Sequence, residues 1–226
     1  MTKPIGINFH GIGTPKRSLE PGEAPYWLSV GKFERVLDRI AADPDPNRFT
    51  ITFDDSNLSD HDIALPALVT RGLRARFFVL TGRIGQAGSL DADHLRRLQN
   101  ADMTIGSHGI DHLAWPTLDD AALIRELSES RAQLEMICGC PVVEAGIPFG
   151  RYDTRVLRAL RDAGYTTAWS SDGGIWRKNA FIRPRTSLRE DMSDQDLKAI
   201  LSGHMPLARR FRRALGMTRR RWTTTG

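Results

Sequence analysis

Cysteine is nearly absent from this 226-residue chain: Cys138 and Cys140 are the only two, with one residue between them. That excludes a disulfide framework. With no further Cys or adjacent His to complete a ligand set, they read as reduced thiols near a helix end. No run of eighteen apolar residues occurs, which excludes a membrane-spanning helix among the expected elements. The N-terminus, Met1 to Asn8, lacks a basic stretch followed by an apolar one, so the expected location is cytoplasmic. Acidic residues stop at Asp196, and seven arginines (Arg209, Arg210, Arg212, Arg213, Arg219, Arg220 and Arg221) crowd the end. The net charge of +5 is therefore local: without those seven the balance is about −2. The body is not a basic nucleic-acid binder. There is no internal repeat or low-complexity linker. The expected organisation is one domain over 1–204 and a basic tail over 205–226. The tail reads as a solvated end or as a peripheral contact with an anionic membrane surface.

What is present is an alternation of short β-rich runs with helical periodicity. Strands are expected at Ile5 to His10, Phe49 to Phe53, Ala75 to Leu80, Met103 to Ser107, Val142 to Gly146, Thr166 to Ser170 and Phe181 to Leu188. Between them, Phe33, Val36, Leu37 and Ile40 recur at helical spacing behind Ser29, a candidate cap. Further helices are expected over Ile63 to Arg71, Asp91 to Asn100, Thr154 to Asp162 and Asp194 to Leu201. Thr117-x-x-Asp120 resembles a capping box opening a long helix to about Ile137. Such alternation implies an α/β fold with a mostly parallel sheet, and seven strands in one domain suit a barrel better than an open sheet. Active sites of β/α barrels lie at the C-terminal strand ends. His10, Asp54, Asp55, His108, Pro148 and Asp172 all fall at or just beyond such ends.

Two segments carry the chemistry. Asp54-Asp55 follows the run ending at Phe53, and His108-x-x-x-His112 follows the run ending at Ser107. Together they offer one Asp and two His to a divalent metal and leave one carboxylate free as a base. Three protein ligands and an open position are what water activation needs. Their order, spacing and strand-end placement resemble the first two motifs of the polysaccharide deacetylase family, also called the NodB-homology or carbohydrate esterase 4 group.

The resemblance runs from about Ile5 to about Leu201. It implies a distorted (β/α)7 barrel and a metal set of Asp55, His108 and His112, with zinc expected and cobalt, manganese or nickel as alternatives. It also implies Asp54 as general base. Gly146-Ile147-Pro148-Phe149-Gly150 resembles the third motif, whose usual Arg is replaced by Gly146. Arg185, in Ile182-Arg183-Pro184-Arg185, is the expected substitute beside Asp54. The Ser or Thr that usually follows the first His is Gly109 here. Asp172 is a candidate fourth-motif acid or a turn former. The general acid expected of the family is His10 in preference to His204, on strand-end placement. Pro148, Phe149 and Trp115 are candidate substrate contacts, with Trp115 the preferred sugar-stacking aromatic. His61 and His94 are expected on solvated helix surfaces. The implied activity is removal of an N-acetyl group from an amino sugar of a glycan or glycan precursor. Alternatives are removal of formyl or acetyl from a lipid-linked sugar or small amide, or an inactive glycan-binding protein.

Overall fold

The computed structural model describes residues 4–177 and 179–203. Eight short strands form one sheet: β1 Ile5–Phe9, β2 Phe49–Phe53, β3 Ala75–Val79, β4 Thr104–Ser107, β5 Glu144–Gly146, β6 Thr167–Ser170, β7 Ile182–Pro184 and β8 Thr186–Ser187. The helices are α1 Val30–Ala41, α2 Leu65–Thr70, α3 Ala92–Asn100, α4 Asp120–Cys138, α5 Thr154–Asp162 and α6 Asp194–Leu201. A π-helical turn, Asp60–Ala64, leads into α2.

Every strand pair is parallel, in the order β7-β6-β5-β4-β3-β2-β1-β8. The two edge strands are consecutive in the chain. Ile182–Pro184 pairs with β6, and two residues later Thr186–Ser187 pairs with β1. One extended segment thus joins both edges and nearly closes a barrel. It corresponds to the seventh expected strand, but it is split at Arg185, where the chain leaves one neighbour for the other.

The strands alternate between two environments. Phe9, Phe53 and Phe77 point toward the helices. The Phe9 ring meets Phe33 of α1 edge-on at 5.0 Å, and Phe53 stacks on Phe77 at 4.7 Å. Phe33, Val36, Leu37 and Ile40 of α1 are all buried, as their spacing predicts. Inside the barrel sit Asn8, Thr52 and Arg185, all without solvent exposure. Phe78 occupies the same interior. A Cβ on Gly106 would come within 2.6 Å of its ring, so a small residue is required there.

Two local expectations are corrected. Helix α4 is capped by Asp119, whose carboxylate accepts the Ala122 N–H at 2.8 Å. Thr117 instead ends a 3₁₀ turn, Trp115–Thr117, and its hydroxyl donates to the Ala114 carbonyl. Ser29 is the N-cap position of α1, but its hydroxyl pairs with Glu190 and not with the helix backbone. Among the described residues no helix is long and apolar enough to cross a membrane. His204 and the Arg-rich tail lie outside the described residues.

Candidate active site

Strand β2 delivers two carboxylates to the barrel mouth. The Asp54 N–H still donates to the Phe9 carbonyl, 3.1 Å away, as a strand residue would. The chain then turns abruptly: Asp55 and Ser56 both have positive φ, 77° and 60°. Left-handed backbone is costly for such residues and persists where surrounding contacts enforce it. Here the Ser56 hydroxyl accepts the Leu80 N–H at 2.7 Å. The turn splits the pair, so Asp54 faces the barrel interior and Asp55 faces the histidines.

Asp54 is gripped from below. Arg185 donates Nη1 to its Oδ1 at 2.7 Å and Nη2 to its Oδ2 at 2.9 Å. Asn8 Nδ2 also donates to Oδ2, at 2.9 Å. Arg185 Nη1 further donates to Asn8 Oδ1 and Thr52 Oγ1. The guanidinium lies over the Phe78 ring, 5.0 Å from its centroid. The same ring explains Gly146: a Cβ there would lie 2.8 Å from Phe78 Cγ. No larger side chain fits at that position, and the arginine approaches from the β7–β8 break instead.

The histidines are held by their Nδ1 atoms. His108 Nδ1 is 2.8 Å from the Gly146 carbonyl oxygen, and His112 Nδ1 is 2.8 Å from Glu20 Oε2. Both partners are acceptors, which places a proton on each Nδ1; in the neutral imidazole Nε2 then presents its lone pair. Those Nε2 atoms lie 3.5 and 3.4 Å from Asp55 Oδ1. Asp55 Oδ1 is buried and has no hydrogen-bond donor among the described residues. Three electron-rich atoms therefore converge. Tetrahedral zinc with ligand bonds of about 2.0–2.1 Å spaces its ligand atoms by about 3.4 Å. The three residues fit a divalent cation in spacing, tautomer and donor type.

The surrounding charges are consistent with that state. Burial alone would raise the Asp54 carboxyl, but the Arg185 guanidinium, with His108 and His10, holds it far below the usual range. Burial also opposes ionisation of Asp55, and the neighbouring imidazoles outweigh it, leaving its carboxyl lowered. Burial pushes His108 down to about 4, so its imidazole is neutral near pH 7.

These groups open into a cavity of about 880 Å³ lined also by His10, Tyr26, Phe149, Asp172 and Arg189. His10 stands just beyond β1 with its ring 4.9 Å from that of Tyr26, and its Nδ1 has no partner among the described residues. Phe149 is more than half exposed at a positive φ of 56°, and its ring stacks on His112 at 4.4 Å. Its backbone N–H finds no acceptor among the described residues. Asp172 accepts from the Tyr152 and Ser170 hydroxyls.

Two expected contacts are displaced. Trp115 has no exposed surface and belongs to the core, so it cannot stack on a ligand. Pro148 is buried beneath the site, where it starts the 3₁₀ turn Pro148–Gly150 that presents Phe149. The exposed aromatic at the mouth is Phe149.

Several residues at the site carry no motif. Glu20 orients His112 and also pairs with Arg83. Glu126 is buried on α4 and accepts the Ile110 N–H at 2.8 Å, bracing the loop between the histidines. It also explains Gly109, where a Cβ would meet Glu126 Oε2 at 2.5 Å and φ is +88°. A signal for Glu126 exists in the sequence, since it stands at a helical core spacing with Leu123, Leu127 and Leu134. Glu20, on an irregular loop, offers none.

Comparison with known proteins agrees with this architecture. YxkH of Bacillus subtilis, which its name assigns to the polysaccharide deacetylases, is 25% identical over 181 residues, covering 74% of this chain. The match spans only 64% of that relative's length. Among solved structures, the Streptococcus pyogenes deacetylase PplD, determined in complex with acetate, superposes with a TM-score of 0.74 at 19% identity. It covers 91% of this chain and 99% of that one. A de-N-acetylase from Aggregatibacter actinomycetemcomitans gives 0.73 at 12% identity, covering 88% and 100%. These likenesses show the fold. A sequence profile described as polysaccharide deacetylase matches residues 41–168, more than half of the chain. The chain belongs to the polysaccharide deacetylase family.

Proposed function

We propose that the chain hydrolyses the N-acetyl group of an amino sugar in a glycan or glycan precursor, with a divalent metal, preferably zinc, held by Asp55, His108 and His112. The observation that carries this reading is the convergence of the Asp55 Oδ1 and two Nε2 lone pairs beside an ionised, arginine-held Asp54. A bound ion would supply a Lewis acid that polarises the amide carbonyl and acidifies water.

The chain's own residues supply the rest. Asp54 accepts a proton from the attacking water, and Arg185 keeps the carboxylate ionised and fixed in direction. The Phe149 N–H, with no acceptor among the described residues, donates to the oxygen that becomes negative as water adds to the carbonyl carbon. His10 then gives a proton to the nitrogen as the carbon–nitrogen bond breaks. The products are acetate and a free amine. Phe149 and Tyr26 offer apolar faces to a sugar ring at the mouth. The acetate bound to the Streptococcus pyogenes deacetylase of the same fold supports an acetyl product.

The test is acetate release from N-acetylglucosamine oligomers by the metal-loaded chain. Release that disappears in His108→Ala, His112→Ala protein supports the reading. Binding of the oligomer without any release would indicate a glycan-binding protein instead.

A further inference from the structure

A second group of metal-ligating side chains lies outside the catalytic cavity. His61, in the π-helical turn, and His94, in the first turn of α3, bring their rings to 4.3 Å at an angle of 44°. Their side chains are mostly sheltered, with 17% and 21% of their surface exposed. This departs from the expectation that both lie on solvated helix surfaces. Together with Asp62 they offer three ligand atoms, all within 4.8 Å of one another. None of the three lines the catalytic cavity.

Each imidazole has a carboxylate behind it. His61 Nδ1 lies 2.9 Å from Asp62 Oδ1, and His94 Nδ1 lies 3.1 Å from Asp91 Oδ1. For His94, whose neighbour Asp91 is not among the ligands, a carboxylate behind Nδ1 is the usual support for binding metal through Nε2. Asp62 stands beside His61 Nδ1, so as a ligand it shares the ion with that nitrogen. π-helical turns are rare and recur at functional positions, and this one presents His61 to His94.

We propose that His61, His94 and Asp62 form a second site for a divalent transition metal, one that ties the π-helical turn to the start of α3. Ligand atoms around tetrahedral zinc are about 3.4 Å apart, so the three atoms, within 4.8 Å of one another, would close on an ion by side-chain rotation. His94 Nδ1 accepts the Asp91 N–H in the helix cap. Metal on Nε2 requires a proton on Nδ1, which then donates to Asp91 Oδ1 instead. The ion would join segments 33 residues apart in sequence, from His61 to His94, and a ligand bound only by the folded state raises its stability.

The experiment is a zinc titration of the chelator-stripped full chain, followed by calorimetry and metal analysis, with thermal melting in parallel. The wild type should bind two equivalents. His61→Ala, His94→Ala protein should bind one, and His108→Ala, His112→Ala protein should also bind one. The first of these variants, measured against its own zinc-free melt because His94→Ala also removes a capping bond of α3, should lose part of the zinc-dependent rise in Tm and keep normal acetate release when loaded. His61→Gln, His94→Gln protein repeats the arm with side chains of similar polarity. A single equivalent that is lost with His108 and His112 but kept without His61 and His94 would overturn this site and leave the catalytic reading intact. A single equivalent with the opposite dependence would overturn the catalytic ligand set and leave this site standing.

Discussion

Asp54 and Arg185 form a buried ion pair, and Asn8 and Thr52 add further bonds to it, while Arg185 Nε has no partner among the described residues. Desolvation makes such a pair costly to break from one side. Arg185→Leu should leave a buried unpaired carboxylate and lower the unfolding free energy by about 3–5 kcal/mol in urea melts. Arg185→Lys should fold but lose kcat, because one ammonium cannot hold both oxygens of Asp54. Asp60 behaves oppositely. It is buried, and burial together with the charges of Asp55 and Asp54 raises its carboxyl well above the usual value, against weaker help from Asn57 and Arg17. Because its folded pKa is raised, its contribution to stability is present below the unfolded value of about 3.9 and is lost as pH rises through the folded value. Asp60→Asn cannot titrate, so its stability relative to the wild type should improve from about pH 4 until the folded value is passed, and then level off. Melts at acidic and mildly basic pH that differ by a constant amount would contradict this.

At the scale of elements, most of the chain could be read from its period. The α1 positions Phe33, Val36, Leu37 and Ile40 face the sheet because a helix buries one stripe, and β2 occupies the expected residues Phe49 to Phe53. Boundaries set by hydrogen bonds between side chain and backbone were less legible. Thr117 and Asp119 are both good capping residue types, and only the turn at Trp115–Thr117 decides between them. Asp119→Ala should cost about 1 kcal/mol in thermal or urea unfolding, and Thr117→Ala clearly less. The split of the last strand was not legible either. An apolar run shows that a segment is extended, but not that its first half pairs with β6 and its second with β1.

For the whole molecule, the sequence placed the acid pair and the histidine pair at strand ends, and parallel strands carry all of them to one mouth. What it left hidden are partners that meet only through the closed barrel. Phe78 excludes a side chain at Gly146 and lies under Arg185, and Glu20 reaches His112 from 92 residues away. Trp115 sits beside the metal motif in sequence yet is wholly buried, because adjacency along the chain says nothing about which face a ring takes. For the Arg-rich tail, removal of residues 205–226 should leave acetate release from soluble oligomers unchanged. It should weaken sedimentation with anionic vesicles, most clearly at low salt. The central claim, that Asp54 works as a base beside a metal held by its neighbour, is tested most directly in Asp54→Asn protein by acetate release with the bound metal counted in the same sample. The expected result is full metal content with turnover reduced about 10²–10⁴-fold. Turnover near the wild-type rate, or loss of the metal with Asp54 while Asp55→Asn retains it, would contradict the account.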